Sequence, residues 1–247
     1  MKIVLITGAS RGIGAATARL AAARGYDVCV NYRVNKEAAG KVADDVRATG
    51  ARAIAVAADI SVEADVVRMF QICDAELGRV DALVNNAAIL EVQKRLDEMD
   101  AARVSRVLGI NVIGAFVCAR EAVKRMSTKY GGRGGAIVNV SSGASRMGSP
   151  NEYIDYAASK GALDTMTIGL SREVAAEGIR VNAVRAGHIY TELHASGGEP
   201  NRVERVKDQV PMKRGGRPEE IAQAILWLLS DDASYTTGAF IDVAGGK

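Results

Sequence analysis

The chain has 247 residues, a length that parallel α/β folds often reach as one domain. Hydrophobic residues make up 48% of the chain and aromatic residues only 4%, with Ala, Val and Gly abundant, which suits close packing of helices on a sheet. The formal net charge is +3, and the 32 basic and 29 acidic residues are spread along the chain, so no basic tract is present that would follow a nucleic-acid backbone.

The amino terminus and the cysteines bear on the compartment of the protein. The apolar run at residues 3–6 is too short for a signal peptide or a membrane span. Cys29, Cys73 and Cys118 lie far apart in apolar runs and follow no metal-ligand spacing, which is typical of small buried side chains. We therefore expect a cytoplasmic protein with no metal site and no membrane segment.

Apolar runs alternate with stretches of helical periodicity along the chain. Strands are predicted at residues 3–6, 28–32, 53–57, 82–84, 136–140, 180–184 and 239–243. Helices are predicted at residues 14–24, 36–49, 63–77, 101–126, 156–177 and 218–230. Because strands separated by helices need crossover connections, the pattern predicts an α/β fold with a doubly wound parallel sheet of seven strands and helices on both faces.

Residues 187–217 differ from the rest of the chain. They carry Pro200, Pro211 and several glycines around one short predicted helix at residues 201–209. We interpret this segment as a mobile lid over a substrate rather than as a domain boundary, and we expect residues 1–247 to form a single domain.

A glycine-rich segment, Thr7-Gly8-Ala9-Ser10-Arg11-Gly12-Ile13-Gly14, lies between the first strand and the first helix. In this position the backbone N–H groups and the helix N-terminus point at a pyrophosphate, and the missing β-carbons let it approach. The segment therefore predicts a dinucleotide-binding turn, whereas the alternative is a tight turn with only a structural role. The predicted cofactor contacts here are Gly8, Ser10, Arg11, Gly12, Ile13 and Gly14.

The end of the second strand bears on the choice of cofactor. Proteins that prefer NAD usually place a carboxylate there, but this chain has Asn31, Tyr32 and Arg33. Arg33 and Arg11 could bind a 2′-phosphate through charge-assisted hydrogen bonds, which favours NADP. If both arginines are instead solvated surface charges, use of NAD as well as NADP would follow.

Three motifs occur in order on the expected elements: the glycine-rich turn, Asn85-Asn86-Ala87-Ala88 after the fourth strand, and Tyr156-Ala157-Ala158-Ser159-Lys160. Over its whole length the chain resembles the short-chain dehydrogenase/reductase family. The resemblance implies a Rossmann-type sheet, NAD(P)-dependent interconversion of a carbonyl and a secondary alcohol by hydride transfer, and a homotetramer.

The resemblance assigns catalytic roles to four residues. Tyr156 exchanges a proton with the substrate oxygen, Lys160 binds the nicotinamide ribose, Ser142 hydrogen-bonds the substrate carbonyl, and Asn111 holds a water in a proton relay. Residues four apart share a helix face, so we expect Lys160 to lie near the phenol and to lower its pKa. For Asn111 the alternative is a core side chain satisfied by a backbone carbonyl.

The same resemblance predicts further cofactor contacts, in addition to Tyr156 and Lys160. They are Asp59, Ile60, Asn85, Ala87, Gly187, Ile189 and Thr191. Ala88 and Ala186 depart from the family pattern, which usually has glycine and proline at these two positions.

The residues around the site suggest a substrate class. The segment at 146–153 is polar, and its Gly148-Ser149-Pro150-Asn151-Glu152-Tyr153 run resembles bacterial sugar dehydrogenases, which favours a sugar or polyol. Reduction of a 3-oxoacyl thioester is an alternative, favoured by the basic residues Arg202, Arg205 and Lys207. A non-catalytic NADP-binding sensor is a third hypothesis. The two histidines, His188 and His194, lack the partners for a triad or a metal site.

Overall fold

The computed structural model describes residues 1–247 and contains one parallel sheet of seven strands. The strands are β1 (Lys2–Ile6), β2 (Tyr26–Tyr32), β3 (Ala53–Ala57), β4 (Ala82–Asn85), β5 (Gly135–Ser142), β6 (Ile179–Ala186) and β7 (Phe240–Val243). Their spatial order is β3-β2-β1-β4-β5-β6-β7, and every neighbouring pair is parallel. The order reverses direction between β1 and β4, where open α/β sheets form a crevice at the carboxyl ends of their strands.

Ten α-helices surround the sheet. They are α1 (Gly12–Ala23), α2 (Lys36–Arg47), α3 (Glu63–Glu76), α4 (Ala101–Leu108), α5 (Ala115–Met126), α6 (Ala144–Met147), α7 (Ile154–Val174), α8 (Leu193–Ser196), α9 (Arg202–Val206) and α10 (Pro218–Leu229). A π-helical segment, Gly109–Gly114, joins α4 to α5. Single 3₁₀ turns lie at Leu96–Glu98, Thr128–Tyr130, Ala175–Glu177, Lys207–Gln209 and Asp231–Ala233.

The two faces of the sheet carry separate apolar cores because side chains alternate along each strand. In β1, Val4 and Ile6 pack into a core of 30 buried residues with α1, α2 and α10. Ile3 and Leu5 pack into a second core of 24 buried residues with α3, α5 and α7. The predicted doubly wound α/β fold is confirmed.

Local side-chain chemistry fixes where several helices begin. The Asn35 side chain accepts a hydrogen bond from the Ala38 amide, 2.9 Å away, and so caps α2. Asp100 caps α4 in the same way through the Arg103 amide, 2.7 Å away. The predicted strand and helix bounds agree with the observed ones to within about three residues, and the four-residue helices α6 and α8 were not predicted.

The continuous helix Ala101–Met126 is long and apolar enough, by length and composition alone, to cross a membrane. In the structure it lies against the sheet, and 33% of its most apolar window is buried inside the protein. It also carries buried charge, since Arg103 pairs with Asp155 at 2.8 Å. Its exposed apolar side chains include Ile113 and Phe116.

Candidate functional site

A cleft of about 570 Å³ opens at the carboxyl ends of the strands, above the point where the strand order reverses. The glycine-rich turn after β1 forms one end of the cleft, and the end of β5 with the first turn of α7 forms its middle. Residues 187–217, which we predict to be a lid and call the lid below, contain α8 and α9 and line the far end.

Buried polar side chains hold the glycine-rich turn in place. Gly8 has a left-handed backbone with φ of 62°, which favours glycine. Its amide donates to Asn31 Oδ1 at 3.1 Å, and the Asn31 amide group donates in turn to Ala58 O at 3.1 Å. Thr7 Oγ1 accepts from the backbone amides that follow β4, those of Asn86 and Ala87, at 3.0 Å each. The sequence interpretation assigned no role to Thr7 or to the Asn31 side chain.

Gly14 lies beneath the turn and does not line the cleft. A β-carbon at this position would come within 2.6 Å of both Asn86 Nδ2 and Gly8 O. Asn86 Nδ2 itself donates to Thr7 O at 2.9 Å and to Gly8 O at 3.1 Å. Only glycine therefore fits between the turn and the segment after β4.

Most of the cofactor residues predicted from the sequence line this one cleft. They are Gly8, Ser10, Arg11, Gly12, Ile13, Arg33, Asp59, Ile60, Ala87, Tyr156, Lys160, Gly187, Ile189 and Thr191. The cleft is thus walled by the turn, by the ends of β2, β3 and β4, and by the start of the lid.

Asn85 is a correction to the prediction, because its side chain turns away from the cleft. It is 4% exposed, and Nδ2 donates to Asn139 Oδ1 at 3.0 Å and to Ala115 O at 3.2 Å. As the last residue of β4, Asn85 points to the opposite side from Asn86, which lines the cleft in its place. The Asn85 amide thus ties β4 to β5 and α5.

Asn111 lies in the π-helical segment and is 1% exposed. Its Oδ1 accepts from the Ile89 amide at 2.8 Å, and its Nδ2 donates to Ile89 O and to Ser159 Oγ, both at 3.1 Å. Both amide hydrogens are therefore engaged by protein groups. The side chain matches the alternative of a core Asn satisfied by backbone, and it holds the Ile89 segment beside the helix that carries Lys160.

The two arginines considered for cofactor binding have different partners. Arg33 is half exposed and its guanidinium lies 3.6 Å from the carboxylate of Asp59, across the end of β2. Arg11 is exposed and donates to Ser196 Oγ on the lid at 3.2 Å. Both side chains line the cleft.

Ser142, Tyr156 and Lys160 come together at the middle of the cleft. Ser142 ends β5, while Tyr156 and Lys160 stand one turn apart on α7. Lys160 is 2% exposed; its Nζ lies 5.5 Å from the centre of the Tyr156 ring and donates to Val140 O at 2.8 Å. The Ser142 hydroxyl accepts from the Ala144 amide at 3.1 Å, which fixes its position.

The pKa of Tyr156 differs from the expectation of a lowered value. In the protein alone, removal from water raises the pKa of Tyr156 to about 12, and the neighbouring Ser142 hydroxyl offsets part of this rise. Burial lowers the pKa of Lys160 to about 8, while the carboxylate of Asp164 acts in the opposite direction. Desolvation disfavours the charged form of both groups, so Lys160 alone does not stabilise a phenolate at neutral pH.

Ser141, next to Ser142, faces the other way, as alternation predicts. Its hydroxyl donates to Asp164 Oδ1 at 2.6 Å. The side chain of Ser142 is therefore the one β5 offers to the cleft.

The far end of the cleft is closed by charged residues that sequence reasoning did not connect. Arg202 of α9 pairs with Glu152, on the segment before α7, and with Glu199 at 2.9 Å. The Arg202 guanidinium also lies 4.9 Å from the centre of the Tyr153 ring. The lid is thus attached to the segment that leads into Tyr156.

The two histidines line the same end of the cleft. Burial lowers the pKa of His188 to about 4, with Lys247 and Arg202 acting in the same direction. His188 Nε2 lies 3.2 Å from Lys247 Nζ. Burial also lowers the pKa of His194, whose Nε2 lies 3.1 Å from Ile189 O. Both rings are therefore neutral at pH 7, and neither approaches a catalytic carboxylate.

The sheet is parallel, and the glycine-rich turn lies where the strand order reverses. A tyrosine and a lysine lie in the same cleft. Together these features define a dinucleotide-dependent oxidoreductase. Comparison with known proteins gives the family. A family model described as enoyl-(acyl carrier protein) reductase matches residues 8–247. The chain belongs to the short-chain dehydrogenase/reductase family, whose members act on alcohol and carbonyl groups with NAD or NADP.

Similar proteins and structures extend over the full chain. An uncharacterised oxidoreductase, YgfF, of Escherichia coli strain K12 is 62% identical over 247 residues, with both chains fully covered. Glucose 1-dehydrogenase 2 of Bacillus subtilis strain 168 is 34% identical, covering 99% of this chain and 94% of its own. The crystal structure of a short-chain type dehydrogenase/reductase from Mycobacterium marinum superposes with a TM-score of 0.92 at 34% identity, covering 99% of this chain and 94% of its own.

Proposed function

We propose that the chain is an NADP-preferring dehydrogenase/reductase that interconverts a secondary alcohol and a carbonyl on a sugar or polyol-like small molecule. The observation that carries the proposal is the convergence of Ser142, Tyr156 and Lys160 in one cleft with the glycine-rich turn. A binding module for NADP would not need these three side chains at one point, which argues against the sensor hypothesis.

The residues of the cleft fit a dinucleotide. Gly8 and Gly12 hold left-handed conformations with φ of 62° and 54°, so the turn presents backbone rather than β-carbons to a pyrophosphate. Thr191, Gly187 and Ile189 also line the cleft, where they would contact the nicotinamide half. We assign Ile13, Ser10 and Arg11 to the phosphates, Arg33 to a 2′-phosphate, and Asp59, Ile60 and Ala87 to the adenosine. When bound, the nicotinamide supplies the redox chemistry.

Each side chain at the middle of the cleft has a defined part in the proposed reaction. In reduction, Tyr156 donates its phenolic proton to the substrate oxygen; in oxidation, the phenolate takes that proton back. Ser142 donates a hydrogen bond to the same oxygen and so orients the reacting carbon. Lys160, which donates to Val140 O in the protein alone, would bind a ribose hydroxyl of the cofactor and carry positive charge beside the phenol. Asn111 acts as a positioning residue through Ile89 and Ser159.

The polar far end of the cleft supports the proposed substrate class. Ser149, Glu152, Tyr153, His188 and His194 line it. The neutral imidazole of His188 and the hydroxyl of Ser149 are groups that exchange hydrogen bonds with hydroxylated molecules. The name of the Bacillus subtilis relative, a glucose 1-dehydrogenase, agrees with this chemistry.

Reduction of a 3-oxoacyl thioester is the second candidate, favoured by the acyl-carrier description of the matching family model. The basic residues that favoured this alternative in the sequence are all paired with carboxylates inside the protein. Arg202 and Arg205 both pair with Glu152 and Glu199, and Lys207 pairs with Glu204 at 2.5 Å. They therefore leave little free positive charge for an acidic carrier.

We further propose that residues 187–217 act as the lid and that the protein works as a homotetramer in the cytoplasm. Ile113 and Phe116 on the helix that follows Ala101, and Ile168 on α7, expose apolar surface on neighbouring helices. Contact between copies of this chain would cover that surface.

A panel assay tests the proposed function. NADP and NAD are each offered with sugars and polyols, and NADPH with 3-oxo esters, while absorbance of the reduced cofactor is followed. Sugar-dependent reduction of NADP supports the proposal. Turnover of 3-oxo esters alone favours the second candidate, and cofactor binding without turnover favours a sensor.

A further inference from the structure

Asp164 is a buried carboxylate one helical turn after Lys160 on α7. Oδ1 accepts a hydrogen bond from Ser141 Oγ at 2.6 Å, and Oδ2 accepts one from Arg185 Nε at 2.9 Å. The residue is 8% exposed. Both oxygens are therefore held by donors, and the carboxylate stays at a fixed position beside the lysine.

Two consecutive residues of β5 join this carboxylate to the lysine. Val140 O accepts the hydrogen bond from Lys160 Nζ at 2.8 Å. The next residue, Ser141, donates to Asp164 and also lies 3.5 Å from Lys160 O. Val140 and Ser141 therefore hold both Lys160 and Asp164.

We propose that Asp164 is a positioning residue that keeps Lys160 protonated and directed toward the active site. The proposal rests on the proposed catalytic role of Lys160. An ammonium removed from water is disfavoured unless a negative charge lies nearby, and Asp164 provides that charge on the side away from the cleft. Burial lowers the pKa of Lys160 to about 8, and Asp164 prevents a larger fall.

The charged groups around this pair determine the sign of the effect. Arg185 of β6 pairs with Asp164 and stacks on Phe240, its guanidinium carbon 3.9 Å from the ring centre. Beyond it, Asp242 of β7 lies 3.9 Å from Arg185 and 3.1 Å from Arg146 of α6. On the cleft side, Tyr156 faces the lysine, and His188 and Lys247 line the wall. Removal of the Asp164 charge takes from Arg185 its carboxylate partner at 2.9 Å and leaves only Asp242 at 3.9 Å. The buried groups beside Lys160 then carry less negative charge, which disfavours the ammonium.

The test is a titration of Lys160 in the ligand-free protein, followed by the NMR signal of its ¹⁵N-labelled Nζ. In Asp164→Asn we expect the pKa of Lys160 to fall by about 0.5 or more. In Arg185→Gln, which removes the opposing charge, we expect it to rise. Asp164→Glu keeps the charge and should restore the wild-type value within about 0.3.

The two opposite shifts distinguish an electrostatic role from a structural one. If Asp164 only braces the fold, the asparagine and glutamine variants will move the pKa in the same direction or leave it unchanged, and either result overturns the proposal. The titration needs no substrate and no cofactor. A shift of the expected sign in a protein without turnover would therefore support the Asp164 inference while the proposed function fails.

Discussion

The ammonium of Lys160 lies 5.5 Å from the centre of the Tyr156 ring and donates its hydrogen bond to Val140 O. Both side chains are removed from water, and this burial shifts the pKa of each. Burial raises the pKa of Tyr156 to about 12 and lowers that of Lys160 to about 8. At neutral pH the phenol is therefore protonated and the lysine is charged, and the lysine loses its proton first as the pH rises.

The phenol of Tyr156 is the group that moves the proton in the proposed reaction. Tyr156→Phe removes the hydroxyl but keeps the ring, so we expect kcat to fall by about 10³-fold or more while the Kd for NADPH changes by less than about threefold. Steady-state absorbance and NADPH fluorescence measure the two quantities. Retained turnover would remove Tyr156 from the mechanism.

The pH dependence follows from the tyrosine–lysine pair. Reduction needs the doubly protonated pair, because Tyr156 gives a proton while Lys160 is charged. We expect kcat/KM for reduction to be constant at low pH and to fall above a pH of about 8, where Lys160 loses its charge. A value of kcat/KM for reduction that stays constant well above this pH would contradict the assignment.

Arg33 is the residue that we expect to select NADP. Arg33→Ala removes a charge-assisted contact to the 2′-phosphate, so the Kd for NADPH should rise about 10- to 100-fold and the Kd for NADH should stay within about threefold. Arg19→Ala is the control, since Arg19 pairs with Asp45 on the surface at 2.9 Å. Equal losses for both cofactors would show that Arg33 acts only on the fold.

Arg202 attaches the lid to the segment before Tyr156. Arg202→Met removes both ion pairs and the contact with the Tyr153 ring, so the lid should open more often. We expect KM to rise about tenfold with kcat within about threefold, and faster proteolysis between α8 and α10. Lys207→Met serves as the control because Lys207 pairs only within the lid, with Glu204. Similar proteolysis of both variants would argue against the attachment.

The side chain of Phe116 is 50% exposed on the helix that we propose to lie between subunits. Phe116→Arg places a charge there and should shift the assembly to a smaller species in light scattering, measured against the 26.0 kDa chain. Tyr130→Arg changes an equally exposed aromatic residue, 53%, beyond the end of α5 and should leave the assembly unchanged. A tetramer that persists in the Phe116 variant would place the interface elsewhere.

The fold could be predicted from local patterns because apolar runs and helical periods fix each element separately. Gly25, Gly50, Gly78 and Gly178 each follow a predicted helix directly, and all four have positive φ, between 79° and 116°. The family resemblance pointed to Tyr156, Lys160 and Ser142, and helix spacing and strand alternation predicted that their side chains lie together. These properties depend on residues close together in the chain.

The rest of the site depends on contacts between distant residues. Asn85 was expected at the cleft, but the exact end of β4 turns it toward Asn139, 54 positions away. The pair of Arg202 and Glu152 spans 50 positions and has no local signature. The raised pKa of Tyr156 arises from burial by the assembled cleft, and no sequence spacing encodes that degree of burial.

The crowding around Gly14 affects how a mutational survey of this enzyme would be interpreted. A β-carbon there would come within 2.6 Å of Asn86 Nδ2 and Gly8 O, although Gly14 does not line the cleft. If only enzyme activity is measured, variants at Gly14 would therefore look as inactive as variants at Tyr156. The yield of folded protein separates the two positions. A substitution at Gly14 prevents correct folding, whereas a substitution at Tyr156 removes the proton transfer from a protein that still folds.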